Sequence, residues 1–150
     1  MAWVAASCTT VPFVDANVLL YAVSKAPEER NKAAVAREIL QRRDLVLSVQ
    51  VLQEFYVQAT RESRRDRLRH DQAVRLVESF CRYPVQELTL PIVQAAFVTR
   101  RRWGISYWDA AILEAARSSG CDVVLSEDLS AGEDYGGVRV ENPFRDGDRH

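Results

Sequence analysis

The chain has 150 residues, 47% of them hydrophobic and 27% charged, with 20 basic against 21 acidic side chains and a formal net charge of −1. A chain of that length buries roughly 70% of the surface its unfolded form exposes, so the composition fits one folded domain and excludes a disordered or fibrous protein. The balanced charge also excludes nucleic-acid or membrane binding that rests on a global positive field, and no run approaches the roughly 18 apolar residues of a membrane span, so a soluble protein is expected.

Residues 1–10, MAWVAASCTT, read as a leader: they lack the basic start and the apolar stretch of about 7 to 15 residues that a signal peptide needs. The cysteines Cys8, Cys81 and Cys121 are odd in number, far apart and without metal-ligand spacing, which predicts buried thiols in a reducing cytoplasm. Residues 11–14 form a strand candidate too short for a helix, and helical spacing runs from Asn17 to Ser24. Pro27 interrupts it, and an amphipathic helix over Glu28 to Arg43 follows. Residues 45–49 make a second strand and 51–61 a helix. The segment 62–70 has no core face, and Asp71 to Arg82 restores one before Pro84. Residues 85–88 are a third strand candidate. A helix starting at Pro91 reaches Trp103, where Gly104 stops it. Ser106 to Ser118 is helical, 122–126 a fourth strand and 138–140 a fifth. Such alternation predicts βαβ units and a parallel sheet covered on both faces, in one domain over 1–150 with a tail at 145–150. In sheets of this kind, ligands bind beyond the carboxyl ends of the strands.

Four acids stand in mainly apolar surroundings, where a charge is costly unless satisfied: Asp15 in FVDAN, Glu54 in VLQEF, Asp109 in YWDAA and Asp128 in LSEDL. Each has a plainer reading. Asp15 can N-cap the next helix, Asp109 fits a capping box opened by Ser106, Glu54 can be a solvated shoulder residue, and Asp128 a turn residue. Taken together they suit a hard divalent cation, Mg²⁺ or Mn²⁺, and acid-plus-metal cleavage of a phosphodiester. Zinc has no ligand set, and with only His70, in the charged segment, and His150, at the terminus, a histidine-based dyad or triad is not expected. A haloacid-dehalogenase-like phosphatase or a receiver domain needs a late lysine, whereas Lys25 and Lys32 are both early and Asn17 replaces the second aspartate.

The segments FVDANVLLYA, SVQVLQEFY, SYWDAAILEAA and GCDVVLSEDL, with NPF at 142–144, resemble the acidic motifs of PIN-domain ribonucleases, in particular VapC toxins of bacterial toxin–antitoxin pairs. The likeness spans residues 11–144; the leader departs from a family that commonly begins almost at the first strand. The resemblance implies a three-layer α/β/α sandwich with a mostly parallel five-stranded central sheet. It also implies a Mg²⁺- or Mn²⁺-dependent endoribonuclease leaving a 5′-phosphate and a 3′-hydroxyl, a homodimer, and a cognate antitoxin. Asp15 and Asp109 match the most direct metal ligands, Glu54 and Asp128 the rest of the cluster, and Asn17 and Ser126 the polar residues that orient it. The alternative is a catalytically silent PIN-like module that binds RNA or a partner, which the loss of an acid would favour; none is lost.

Five arginines between Arg61 and Arg69, and Arg100, Arg101 and Arg102 before the third acid, are candidate RNA contacts, against the plainer reading of solvated helix ends. Trp103, Tyr107 and Trp108, at helical spacing, are read as core or interface rather than as base-stacking groups.

Overall fold

A computed structural model describes residues 11–145, so the leader with Cys8, and His150 with nearly all of the tail, lie outside the described residues. Phe13 and Val14 are wholly buried and form β1 (Phe13–Val14), which Asp15 ends by capping α1 (Ala16–Ala22). A 3₁₀ turn at Pro27–Glu29 leads into α2 (Arg30–Ile39), whose Ala33, Ala36 and Ile39 are buried. β2 (Leu47–Ser48) passes directly into α3 (Val49–Ala59) because the Ser48 hydroxyl accepts the Val51 N–H as the helix cap. α4 (His70–Phe80), β3 (Val85–Gln86), α5 (Leu90–Trp103), α6 (Tyr107–Ser118), β4 (Val123–Leu125) and β5 (Arg139–Glu141) complete the chain. Gly104 closes α5 at φ 67°, a left-handed conformation that glycine adopts without a Cβ clash, and donates its N–H to the Arg100 carbonyl at 2.8 Å.

All strand pairs are parallel. β4 lies between β1 and β5, with Val14 opposite Leu125 and Leu125 opposite Glu141, and β2 pairs with β3. The expected five-stranded sheet is present as these two pieces, three strands and two, joined by a bridge between Phe13 and Val46 with Val14 N donating to the Val46 carbonyl at 3.0 Å. The seam is narrow because Asp15 and Ser48 turn both chains into helices as soon as they pair. Read across the seam, the order is β3-β2-β1-β4-β5, so the chain moves outward from β1 to β3 and then returns to the other side of β1.

That reversal separates the helices. α1 packs on α2 and α3, and α3 on α4, while α5 packs chiefly on α6. With right-handed crossovers, the first four helices cover one face and α5 and α6 the other, giving three layers. The core is centred on the sheet, where Phe55 of α3 meets Phe80 of α4 edge-on at 5.1 Å. Among the described residues, no helix is long and apolar enough to cross a membrane. Cys121 is buried, and burial pushes its thiol up to about 11. The expectation of buried thiols fails at Cys81, which is exposed at the C-terminal cap of α4, one residue past Phe80, the last buried residue of that helix.

Candidate functional site

β1 and β4 are neighbours at the point where strand order reverses, the place where open α/β sheets form their binding crevices. Asp15 and Ser126 are the first residues past these strands. The Asp15 N–H still donates into the ladder, to the Leu125 carbonyl at 3.0 Å, and the Ser126 N–H to the Glu141 carbonyl at 3.0 Å. Both backbones are therefore anchored by the sheet, and both side chains leave its carboxyl edge.

The Asp15 carboxylate is buried and fully engaged. Oδ1 accepts the Ala16 N–H at 2.8 Å, so Asp15 does cap α1, as the plainer reading expects. Oδ2 accepts the Ser126 hydroxyl at 2.8 Å and faces Asn17 Nδ2 at 3.5 Å. Ser126 Oγ, with no exposure, accepts from Asn17 Nδ2 at 3.2 Å and from the backbone N–H groups of Asp128 at 3.1 Å and Leu129 at 3.3 Å. Asn17 Nδ2 also donates to Asp128 Oδ2 at 3.2 Å, while its Oδ1 accepts the Glu127 N–H at 3.2 Å. One amide and one hydroxyl thus tie the loop after β4 to the start of α1 and set Asp128 beside Asp15.

Glu54 and Asp109 come from opposite helical layers. Ser106 caps α6 by accepting the Asp109 N–H at 3.0 Å, which fixes Asp109 in the first turn. Gln50, one turn before Glu54 on α3, donates Nε2 to Glu54 Oε2 at 3.5 Å and to the Trp108 carbonyl at 3.2 Å, joining α3 to α6 across the site. All four acids line one cavity of about 340 Å³, together with Asn17, Gln58, Trp108 and Ile112. Among the described residues, no lysine or arginine lines it.

Crowding of like charge in a partly dry pocket has the expected electrostatic result. Burial pushes the Asp15 carboxyl from 3.8 up to about 6, against the hydrogen bonds from Ser126 and Ala16, and Glu54 and Asp128 add to the rise. Burial likewise raises Glu54, with Asp109 and Asp128 contributing, and raises Asp109, with Asp128 contributing. The donor set is oxygen throughout and fits a hard divalent cation of the Mg²⁺ or Mn²⁺ kind. Among the described residues no three acidic, histidine or cysteine side chains close into a ready-made cage, and the cavity leaves room for the waters such a cation keeps.

Of the residues expected from the sequence, Asp15, Asn17, Glu54, Asp109, Ser126 and Asp128 come together here. Arg100, Arg101 and Arg102 occupy the last turn of α5, and none lines the cavity; Arg102 stacks its guanidinium over Trp103 at 4.8 Å. Trp103 packs edge-on against Tyr135, as a core residue does, whereas Trp108 is 63% exposed at the first turn of α6, which leaves the interface half of the core-or-interface reading for it. Gln50 was not foreseen, although its spacing of four residues from Glu54 places both on one side of α3. Nor was the group behind Asp128, where Glu127 accepts the Tyr21 hydroxyl and the Lys32 ammonium, the latter at 2.5 Å.

A family model described as the PIN domain matches residues 13–131. No curated protein matches the chain in sequence. Solved structures match in fold. VapC20 of Mycobacterium tuberculosis, described as a sarcin–ricin loop cleaving toxin, has a TM-score of 0.61 at 16% identity, over 78% of this chain and 91% of its own. A toxin–antitoxin complex from Klebsiella pneumoniae gives 0.64 at 18% identity over 89% and 98%. DNA-bound VapBC from Salmonella typhimurium gives 0.62 at 20% over 90% and 99%.

Proposed function

The chain belongs to the PIN-domain family, and from that premise we propose that it is a Mg²⁺- or Mn²⁺-dependent endoribonuclease acting in the cytoplasm as the toxin of a toxin–antitoxin pair. The observation that carries the reading is the convergence of Asp15, Glu54, Asp109 and Asp128 on one cavity at the switch point of the sheet. The similar structures support the toxin part, being described as a toxin or as toxin–antitoxin complexes. On this reading a cognate antitoxin silences the chain and two copies form a homodimer. The open apolar channel between α3 and α4, lined by Leu52, Tyr56, Val57, Val74 and Val77, suits an apolar helix of that antitoxin.

Asp15 and Asp109 would hold the cation directly, and Glu54 and Asp128 would complete its shell directly or through water. When bound, the ion acidifies water and offsets the charge that builds on the phosphodiester. The protein's part is preorganisation. Ser126 and Asn17 hold Asp15 and Asp128 in place, Gln50 faces Glu54, and the cap at Ser106 sets Asp109, so the four carboxylates are held on one cavity before any ligand arrives. Hydrolysis leaves a 5′-phosphate and a 3′-hydroxyl.

The test is cleavage of total RNA by the purified chain. Activity with Mg²⁺ or Mn²⁺, abolished by Asp15→Asn and by Asp109→Asn, is expected; cleavage that persists in chelator or in both variants refutes the assignment.

A further inference from the structure

Trp108 is placed where an apolar side chain has a cost. The indole is 63% exposed, yet it lines the same cavity as the four acids and directly precedes Asp109 in the chain. Its backbone is pinned, since the Trp108 carbonyl accepts Gln50 Nε2 at 3.2 Å. Its ring rests edge-on against Tyr107, with centroids 5.0 Å apart and planes at 76°, and Tyr107 leans on Phe97 at 5.4 Å. A ladder of rings therefore backs the indole while most of its surface stays in solvent.

The charge of the cavity says what this surface can meet. With acids and no cationic side chain among its described lining residues, the pocket offers a polyanion no ion pair from that lining. What remains besides the metal is contact with the uncharged part of the nucleotide, and the flat face of a base suits an indole. We propose that Trp108 is the stacking platform for an unpaired nucleobase beside the phosphodiester that is cut. This rests on the ribonuclease reading and narrows its substrate to single-stranded or looped-out RNA, because bases inside a duplex are already stacked on both faces.

Stacking on an aromatic side chain changes affinity by about 1–3 kcal/mol per base on alanine substitution, so the expected loss is on the order of tenfold. The test is a double-mutant cycle between protein and RNA. The full wild-type chain, Trp108→Ala and Trp108→Phe are compared on a short single-stranded oligoribonucleotide that the wild type cleaves, with and without an abasic residue next to the cut. Binding is read by fluorescence anisotropy and turnover by kcat/KM. Trp108→Ala and the abasic site should each cost about tenfold, the two together no more than either, and Trp108→Phe should recover most of the loss.

Equal losses from Trp108→Ala on intact and abasic RNA overturn the proposal. So does a loss that follows the change from dimer to monomer in size-exclusion chromatography, which assigns Trp108 and the exposed Phe97 and Val98 to contact between copies. A wild-type chain that neither binds nor cuts any RNA overturns the ribonuclease reading itself. One that cuts RNA equally well with and without Trp108 overturns only the platform.

Discussion

Replacing Asp15 by asparagine should make the metal-free protein more stable at neutral pH while destroying its ability to be stabilised by metal. The buried carboxyl ionises at about 6 in the folded chain against 3.8 ordinarily, with burial as the main cause. A folded value above the unfolded one means the folded state holds its proton more tightly. The contribution to stability is therefore fully present below about pH 3.8 and is lost as pH rises through about 6. At 1.36 kcal/mol per unit the whole effect is roughly 3 kcal/mol against folding at pH 7.5. Asparagine carries no charge to desolvate, but its amide cannot accept from Ser126 and Ala16 as both carboxylate oxygens do, which returns about 1 kcal/mol of the gain. The net expectation is about 2 kcal/mol. In a chain of this size that is roughly 4 to 8 °C in Tm. The assay is thermal melting of wild type and Asp15→Asn in chelator from pH 4 to 8, then with Mn²⁺. Asp15→Asn should melt higher at pH 7.5, that advantage should disappear towards pH 4, where only the lost hydrogen bonding counts, and Mn²⁺ should raise Tm in the wild type alone, the stabilisation being about 2.7 kcal/mol at a hundred times Kd. Taking the difference between the two proteins removes the groups that titrate in the opposite sense, such as Asp44 and Asp66, whose carboxyls arginine side chains and backbone N–H groups hold low. If Asp15→Asn melts lower than wild type at pH 7.5 in chelator, the hydrogen bonds outweigh desolvation, and the site does not store the cost assigned to it.

How much of this was visible in the sequence depends on what each residue answers to. Asp15 and Asp128 were legible because they follow short apolar runs, and a parallel strand delivers whatever follows it to the carboxyl edge of the sheet. Asp109 and its cap at Ser106 were legible from local spacing. The division of the sheet was not, because the seam at Phe13 and Val46 depends on how soon Asp15 and Ser48 start helices, and strands of two or three residues carry almost no pattern. The exposure of Trp108 was not legible for a related reason. α6 is buried without a break from Ala110 to Ala116, because it packs on the sheet and on α5 at once, so its apolar residues show no single face from which an exposed one would stand out. Glu114 illustrates the same limit, being buried in that run and held by Arg117 one turn on at 3.1 Å and by the Thr99 hydroxyl of α5 at 2.6 Å, a partner that only the tertiary structure supplies.

Two further substitutions separate the frame from the site. Phe55→Ala removes a ring with no exposure that packs edge-on against Phe80, and should cost about 3–5 kcal/mol, seen as a urea midpoint lower by about 2 M, with Mn²⁺ still raising Tm in whatever fraction folds; a loss under about 1 kcal/mol would mean that α3 and α4 do not share a packed core. Ser126→Ala tests the polar frame itself. It takes from Asp15 the hydroxyl that favours its charged form and leaves the Asp128 and Leu129 N–H groups and the Asn17 amide without their common acceptor. Stability should fall by about 1–3 kcal/mol. Because the lost bond opposes burial, the Asp15 carboxyl should rise further above about 6, and the pH at which Mn²⁺ begins to raise Tm should move upward with it. A variant that is destabilised but keeps the same pH threshold would show that Ser126 only braces the loop after β4, and that the charge of Asp15 is governed by its burial alone.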